Sequence, residues 1–188
     1  MDKFRGTYRI ASARAPWWNY GDDAAYFITI CTRDREHFFG QVERGQMILS
    51  DIGKIVNEEW EKTFQMRPDM NLGMGEYVVM PNHFHAIIII GRNEYNSPAL
   101  SKRKMDKEDD NGDRTDNMNR FGPQSKNLAS IVRGFKSGVA KQARLVLPGF
   151  EWQSRYHDHI IRDSREFAII ENYIRNNPRN WDADKLKL

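Results

Sequence analysis

The 188-residue chain is 39% hydrophobic and 12% aromatic, enough apolar surface for one domain to bury a core, and too much for wholesale disorder. Its single cysteine, Cys31, excludes an intrachain disulfide framework and points to a reducing compartment. The net charge of +3 is only a lean towards an anionic partner. No signal-like apolar run follows the basic N-terminus, and the longest apolar stretch, residues 86–90, is too short to span a membrane, so a soluble cytoplasmic protein is expected.

Residues 1–24 read as a basic, aromatic arm without clear periodicity. Tyr26 to Thr32 is β-branched and aromatic, bounded by polar segments, and predicts a strand. Ser50-Asp51 offers an N-cap, after which Ile52, Ile55, Val56 and Trp60 recur at helical spacing until Arg67-Pro68. Glu76 to Met80 and His83 to Ile90 predict two strands joined as a hairpin by Met80-Pro81-Asn82. The 92–122 segment mixes both charges with few large apolar groups, and is expected to be a mobile insertion. A helix from about Asn127 to Leu147 carries the apolar stripe Leu128, Ile131, Phe135 and Val139. Trp152 to Arg162 is predicted as the fourth strand. The last helix opens at Asp163, where Asp-Ser-Arg-Glu supplies an N-cap and a glutamate three residues on, and Pro178 stops it after Asn177. The order β-α-β-β-α-β-α predicts an α+β fold: a ferredoxin-like antiparallel sheet with helices packed mainly on one face, in one domain over 1–188.

Three features carry possible chemistry. His83 and His85 lie two apart on a strand and so point to one face, where neutral imidazoles can share a divalent metal; two unrelated histidines are the ordinary alternative. Tyr173 and Asn177 lie four apart on the last helix, on one face with roughly a 6 Å axial offset. There a phenol and an amide carbonyl can approach the same metal, although a half-core tyrosine and a helix-stopping Asn-Pro are common. Tyr156-His157-Asp158-His159 is a rival cluster, with its two histidines on one strand face. For an anionic partner, five cations and no acid occur between Lys126 and Arg144; of these Arg133, Lys136, Lys141 and Arg144 fall opposite the apolar stripe. They are either phosphate contacts or a solvated helix face.

The stretches YFITICTRDREHFFG (26–40), VVMPNHFHAIIII (78–90), IVRGFKS (131–137) and YHDHIIRDSREFAIIENYIRNNP (156–178) together resemble the single-tyrosine HUH transposases, and in particular the REP-associated tyrosine transposases. They stand in family order and cover most of the chain apart from the arm and the insertion. The resemblance implies that His83, His85 and Asn177 hold Mg²⁺ or Mn²⁺, and that Tyr173 is the nucleophile. It sets the 156–159 cluster aside, on the family's final strand. It further implies a transesterase that cuts and rejoins single-stranded or hairpin DNA through a 5′-phosphotyrosine, as a monomer or a homodimer that exchanges the tyrosine helix. Single-stranded DNA needs cations for its backbone and flat groups for its bases; Arg133, Lys136, Lys141 and Arg144, with Arg14, Trp17 and Trp18 of the arm, are the candidates. A non-cleaving nucleic-acid-binding module on the same fold is the alternative of a different class, and a water-using metal hydrolase is another. Only the transesterase leaves a covalent adduct.

Overall fold

The continuous run HFHAIIII demands burial on both sides of a strand, and it occupies the interior of the sheet. The computed structural model describes residues 20, 22–95 and 126–187, together with the backbone of 3, 4, 7 and 8. The side chains of Arg14, Trp17 and Trp18, and most of the 92–122 segment, lie outside the described residues. Strands β1 (Lys3–Phe4) and β2 (Thr7–Tyr8) pair as a small antiparallel ribbon. Then β3 (Ala24–Cys31), a hairpin of β4 (Gly40–Glu43) and β5 (Gln46–Leu49), helix α1 (Asp51–Gln65), β6 (Gly73–Val79), β7 (His83–Ile90), α2 (Leu128–Val146), β8 (His157–Ile161) and α3 (Ser164–Asn176) follow in chain order.

The main sheet runs β6-β7-β3-β8 with every neighbouring pair antiparallel. That order places the first and third strands of the βαββαβ unit at the centre, which is the ferredoxin-like arrangement. Strand alternation gives each face its own core. Tyr26, Ile28 and Ile30 of β3, with Phe84, Ala86 and Ile88 of β7, meet α1 and α2. Trp60 of α1 sits with its ring centroid 5.0 Å from that of Phe84 and 5.2 Å from that of Phe135 on α2, both edge-on. The opposite face carries Ala25, Ile87, Ile89 and Ile161 against Ile174 of α3, with Phe167, Ile170 and Tyr95 packed around them. Among the described residues, two helices therefore cover one face, and one helix covers part of the other. On that face His85 lines a cleft, with the buried His83 beside it.

Local chemistry accounts for the boundaries. Ser50 caps α1 through Gly53 N–H (3.1 Å) and donates its hydroxyl to Phe38 O (2.6 Å). Asn127 caps α2 with a reciprocal box to Ser130, and Asp163 caps α3 by accepting from Glu166 N–H (2.8 Å). The β4–β5 hairpin turns at Arg44-Gly45, both at positive φ (50° and 75°), as a two-residue type I′ turn requires. Its four-residue, half-exposed strands leave little periodic signal, and they were not expected from the sequence. The final strand is shorter than the predicted 152–162: Trp152 makes only an isolated bridge to Thr32, and Arg155 turns left-handed (φ 68°), which breaks the extended run before His157.

Candidate active site

Register builds the floor of the cleft. On β3, Thr29 is paired with His85 of β7 on one side and with His157 of β8 on the other, and Cys31 is paired with His83. The two site imidazoles are buried, 0% and 2% exposed, with ring centroids 4.5 Å apart. Asn82 fixes the first of them. Its amide Nδ2 donates to Leu186 O (2.9 Å), so its Oδ1 is the acceptor that receives His83 Nδ1–H (2.8 Å). His83 Nε2 is thereby left as a bare lone pair. His85 Nδ1 hydrogen-bonds with the Thr29 hydroxyl (2.8 Å), turning Nε2 the same way. Burial, followed by the nearby Arg35 charge, pushes the His83 pKa down to about 3. Burial, helped by His83, takes His85 well below its ordinary value. Both rings are neutral at pH 7, the state a metal needs.

Helix α3 lays Tyr173 over this pair. The phenol oxygen lies 3.3 Å from His85 Nε2, and the ring meets Phe27 edge-on at 6.1 Å. Burial and then Asp184 raise the phenol pKa, partly opposed by Asn177. One turn on, Asn177 is buried at the helix end, and the turn Pro178–Ala183 folds the chain back across the histidines. Asp184 arrives there with Oδ2 3.8 Å from His83 Nε2, while its Oδ1 accepts from Leu186 N–H (2.7 Å). One ligand atom each from His83, His85 and Asp184 lie within 4.8 Å of one another, about the span of opposed ligands around one divalent ion.

The pairing of polar atoms tests that fit. Among the described residues, the buried side-chain atoms without a hydrogen-bond partner include His83 Nε2, Asn177 Oδ1 and Asp184 Oδ2. An unpaired buried acceptor costs about 1–3 kcal/mol, and more if charged, and three at one place form a set that a shared cation would satisfy. Nitrogen and oxygen donors of this kind suit Mg²⁺, Mn²⁺ or Zn²⁺, and the group can hold a metal ion.

The cleft beside Tyr173 has a volume of about 790 Å³ and is walled by Phe27, Arg35, Arg155, Tyr156, His157 and Lys185 among others. Of the four helix cations expected to meet phosphate, none lines it. Helix α2 packs on the other face of the sheet, where Arg133 and Lys141 are exposed. Arg144 Nε donates to Phe150 O (3.1 Å). The half-buried Lys136 ammonium instead donates to Gln153 O (2.8 Å) and Arg155 O (2.9 Å), tying down the loop that forms one cleft wall.

A protein of Haemophilus influenzae described as uncharacterised is 36% identical over 185 residues, covering 96% of this chain and 94% of its own. The chain belongs to the same family as that Haemophilus protein. No protein-family model matches the chain. Among solved structures, a REP-associated tyrosine transposase bound to a REP hairpin superposes with a TM-score of 0.56 at 18% identity, over 93% of this chain and 77% of that one. The fold is that of the REP-associated tyrosine transposases.

On this transposase fold, sequence reasoning brings His83, His85, Tyr173 and Asn177 to one place and misses Asp184, Asn82 and Thr29. Asp184 sits in a polar tail with no periodic signal, and the other two are defined by cross-strand register and tertiary contact. The rival cluster divides: His157 is exposed in the same cleft, whereas His159 is 2.7 Å from Glu166 and clasps the start of α3. Among the described residues no helix is long and apolar enough to cross a membrane.

Three outcomes follow. Asn82→Ala or Thr29→Val should each weaken metal binding by roughly 10–100-fold, because an outer partner fixes the ligating tautomer; calorimetric titration with Mn²⁺ reads this. Lys136→Met keeps the stem but removes two charge-assisted bonds, and should cost about 1–3 kcal/mol in urea unfolding. The third outcome concerns pH. His83 is at about 3 when folded, against 6.5 ordinarily. The unfolded chain therefore takes up protons between those values that the folded one refuses. Stability of the metal-free protein is flat above that ordinary value and falls below it by about 1.4 kcal/mol per pH unit for His83. His85 acts in the same direction. Urea midpoints at about pH 7.5 and about pH 5.5 in chelator check this, with His83→Gln expected to flatten the dependence.

Proposed function

We propose that the chain is a metal-dependent transesterase that cleaves and rejoins single-stranded DNA at hairpin-associated sites, as a transposase acting through a 5′-phosphotyrosine. The observation that supports this most is the placing of a phenol 3.3 Å from His85, beside the unpaired His83, Asn177 and Asp184 atoms. The fold of a protein solved with a REP hairpin adds support. His83, His85 and the Asn177 or Asp184 oxygen would hold Mg²⁺ or Mn²⁺, which would supply Lewis-acid activation of the phosphate.

The chain's own groups do the rest. Phe27 and His85 hold the Tyr173 ring over the floor of the cleft. Its Oη attacks phosphorus in line: the Oη–P bond forms, the P–O3′ bond breaks, and the electron pair stays on O3′. The phenol proton passes to solvent through the open side of the cleft, and O3′ takes a proton from solvent. Because a phosphodiester replaces a phosphodiester, the reverse attack by a 3′-hydroxyl reseals the strand without ATP. Tyr173 is protonated at rest, its pKa raised mainly by burial, so its attack requires that the phenol proton be lost.

The test uses purified protein, Mn²⁺ or Mg²⁺, and labelled hairpin DNA from the gene's own flanks on a denaturing gel. A metal-dependent covalent adduct supports the transesterase. Tight binding without adduct or nicking would instead establish the non-cleaving binding module.

A further inference from the structure

The turn after β3 holds an arginine in a conformation and a place that the histidine–tyrosine constellation does not account for. Asp34 and Arg35 have φ of 50° and 60°, the left-handed region that non-glycine residues rarely adopt. The turn is held in that shape from both sides. The Thr32 hydroxyl, fully buried, bridges the carbonyls of Glu36 (2.8 Å) and Asn82 (3.0 Å), and Arg33 N–H donates to Glu151 O (3.0 Å). Strain kept up by surrounding contacts is a mark of positions where side-chain direction matters.

Here the direction is into the cleft. Arg35 lines it together with His85, Tyr173, Asn177 and Asp184. Its Nη1 is 3.5 Å from Leu186 O, the same carbonyl that accepts from Asn82, the partner of His83. Arg33, its neighbour, pairs with Asp34 and Glu151, and Asp184 turns its free oxygen to His83. Arg35 forms no ion pair with any described carboxylate. The other cleft cations, Arg155 and Lys185, are exposed, whereas Arg35 is half-buried, where a charge acts through a lower dielectric. Its field already depresses His83, second only to burial.

We infer that Arg35 is a catalytic residue, whose guanidinium binds a non-bridging oxygen of the scissile phosphodiester and stabilises the extra negative charge that develops as Tyr173 attacks. The inference rests on the transesterase reading of the site. A planar fork presents two parallel N–H donors to phosphate oxygens, and its charge would add to that of a cation held by the histidines. Arg35 stays protonated throughout; the only bonds exchanged are Oη–P for P–O3′.

The test compares wild type, Arg35→Ala and Arg35→Lys on two hairpin DNAs under single-turnover conditions with Mn²⁺. One carries an ordinary phosphodiester at the cleaved position, the other an uncharged methylphosphonate. On the ordinary substrate Arg35→Ala should form adduct roughly 10²–10³-fold more slowly than wild type, with Arg35→Lys in between and hairpin affinity changed by less than about fivefold. On the methylphosphonate, where one non-bridging charge is already gone, the wild-type-to-Ala ratio should collapse to under about fivefold. A ratio equally large on both substrates would make Arg35 a structural residue and overturn the inference. So would Arg35→Ala matching wild type on the ordinary DNA. If wild type itself forms no adduct on ordinary DNA, the transesterase reading fails and this inference goes with it, an outcome distinct from the other two.

Discussion

Tyr173→Phe is expected to abolish the covalent protein–DNA adduct and to lower strand cleavage by roughly 10³-fold or more, since removing a nucleophile removes the step itself. The substitution deletes one oxygen from a ring that is 44% exposed. The ring's contacts with Phe27 and His85 are made by its faces and edges, and phenylalanine keeps them. Among the described residues the hydrogen bonds lost are the 3.3 Å contact to His85 Nε2 and the weaker one to Asn177. Folding stability should therefore change by less than about 1 kcal/mol, and hairpin affinity should stay near wild type. A denaturing gel for adduct, a filter-binding titration and a urea curve on one preparation separate these quantities. Cleavage that survives in Tyr173→Phe would mean that water or another residue attacks.

His83→Ala and His85→Ala should each remove metal binding almost entirely. Loss of an outer partner alone costs about 10–100-fold in affinity, and loss of a ligand costs more. The wild type should also be stabilised by metal, by about 2.7 kcal/mol at a hundredfold excess over Kd, through preferential binding to the folded state. Neither variant should show that gain in a thermal melt with and without Mn²⁺. Variant and wild type are thus compared by a shift in melting temperature as well as by activity, so a folding defect is not mistaken for a lost ligand. His85→Ala also releases the Thr29 hydroxyl and the Tyr173 contact, and should lower cleavage further than His83→Ala at saturating metal.

Much of this was legible in the residues because the signals are local. The run His83–Ile90 is a central strand covered on both faces, and an unbroken apolar stretch of that length allows few alternatives. Ser50 and Asp163 cap their helices where the sequence places them. The two-residue and four-residue spacings put His83 with His85, and Tyr173 with Asn177. What escaped is set by contacts between distant segments. Asp184 reaches His83 only because Pro178–Ala183 turns the tail back. Thr29 meets His85 across 56 residues of sequence through strand register. Lys136 lies opposite the apolar stripe on a helical wheel, yet its stem is half-buried and its ammonium finds the carbonyls of Gln153 and Arg155. The wheel gives direction around the helix axis, not what the next loop brings to that side. The β4–β5 hairpin shows the same limit, being too short for period-two alternation to stand out.

The most direct measurement is to trap the wild-type protein on hairpin DNA with Mn²⁺, digest the DNA and the protein, and map the residual nucleotide by mass spectrometry. The account predicts a nucleotide joined through its 5′-phosphate to the peptide containing Tyr173. A modified peptide elsewhere, or strand nicking without any modified peptide, would contradict it.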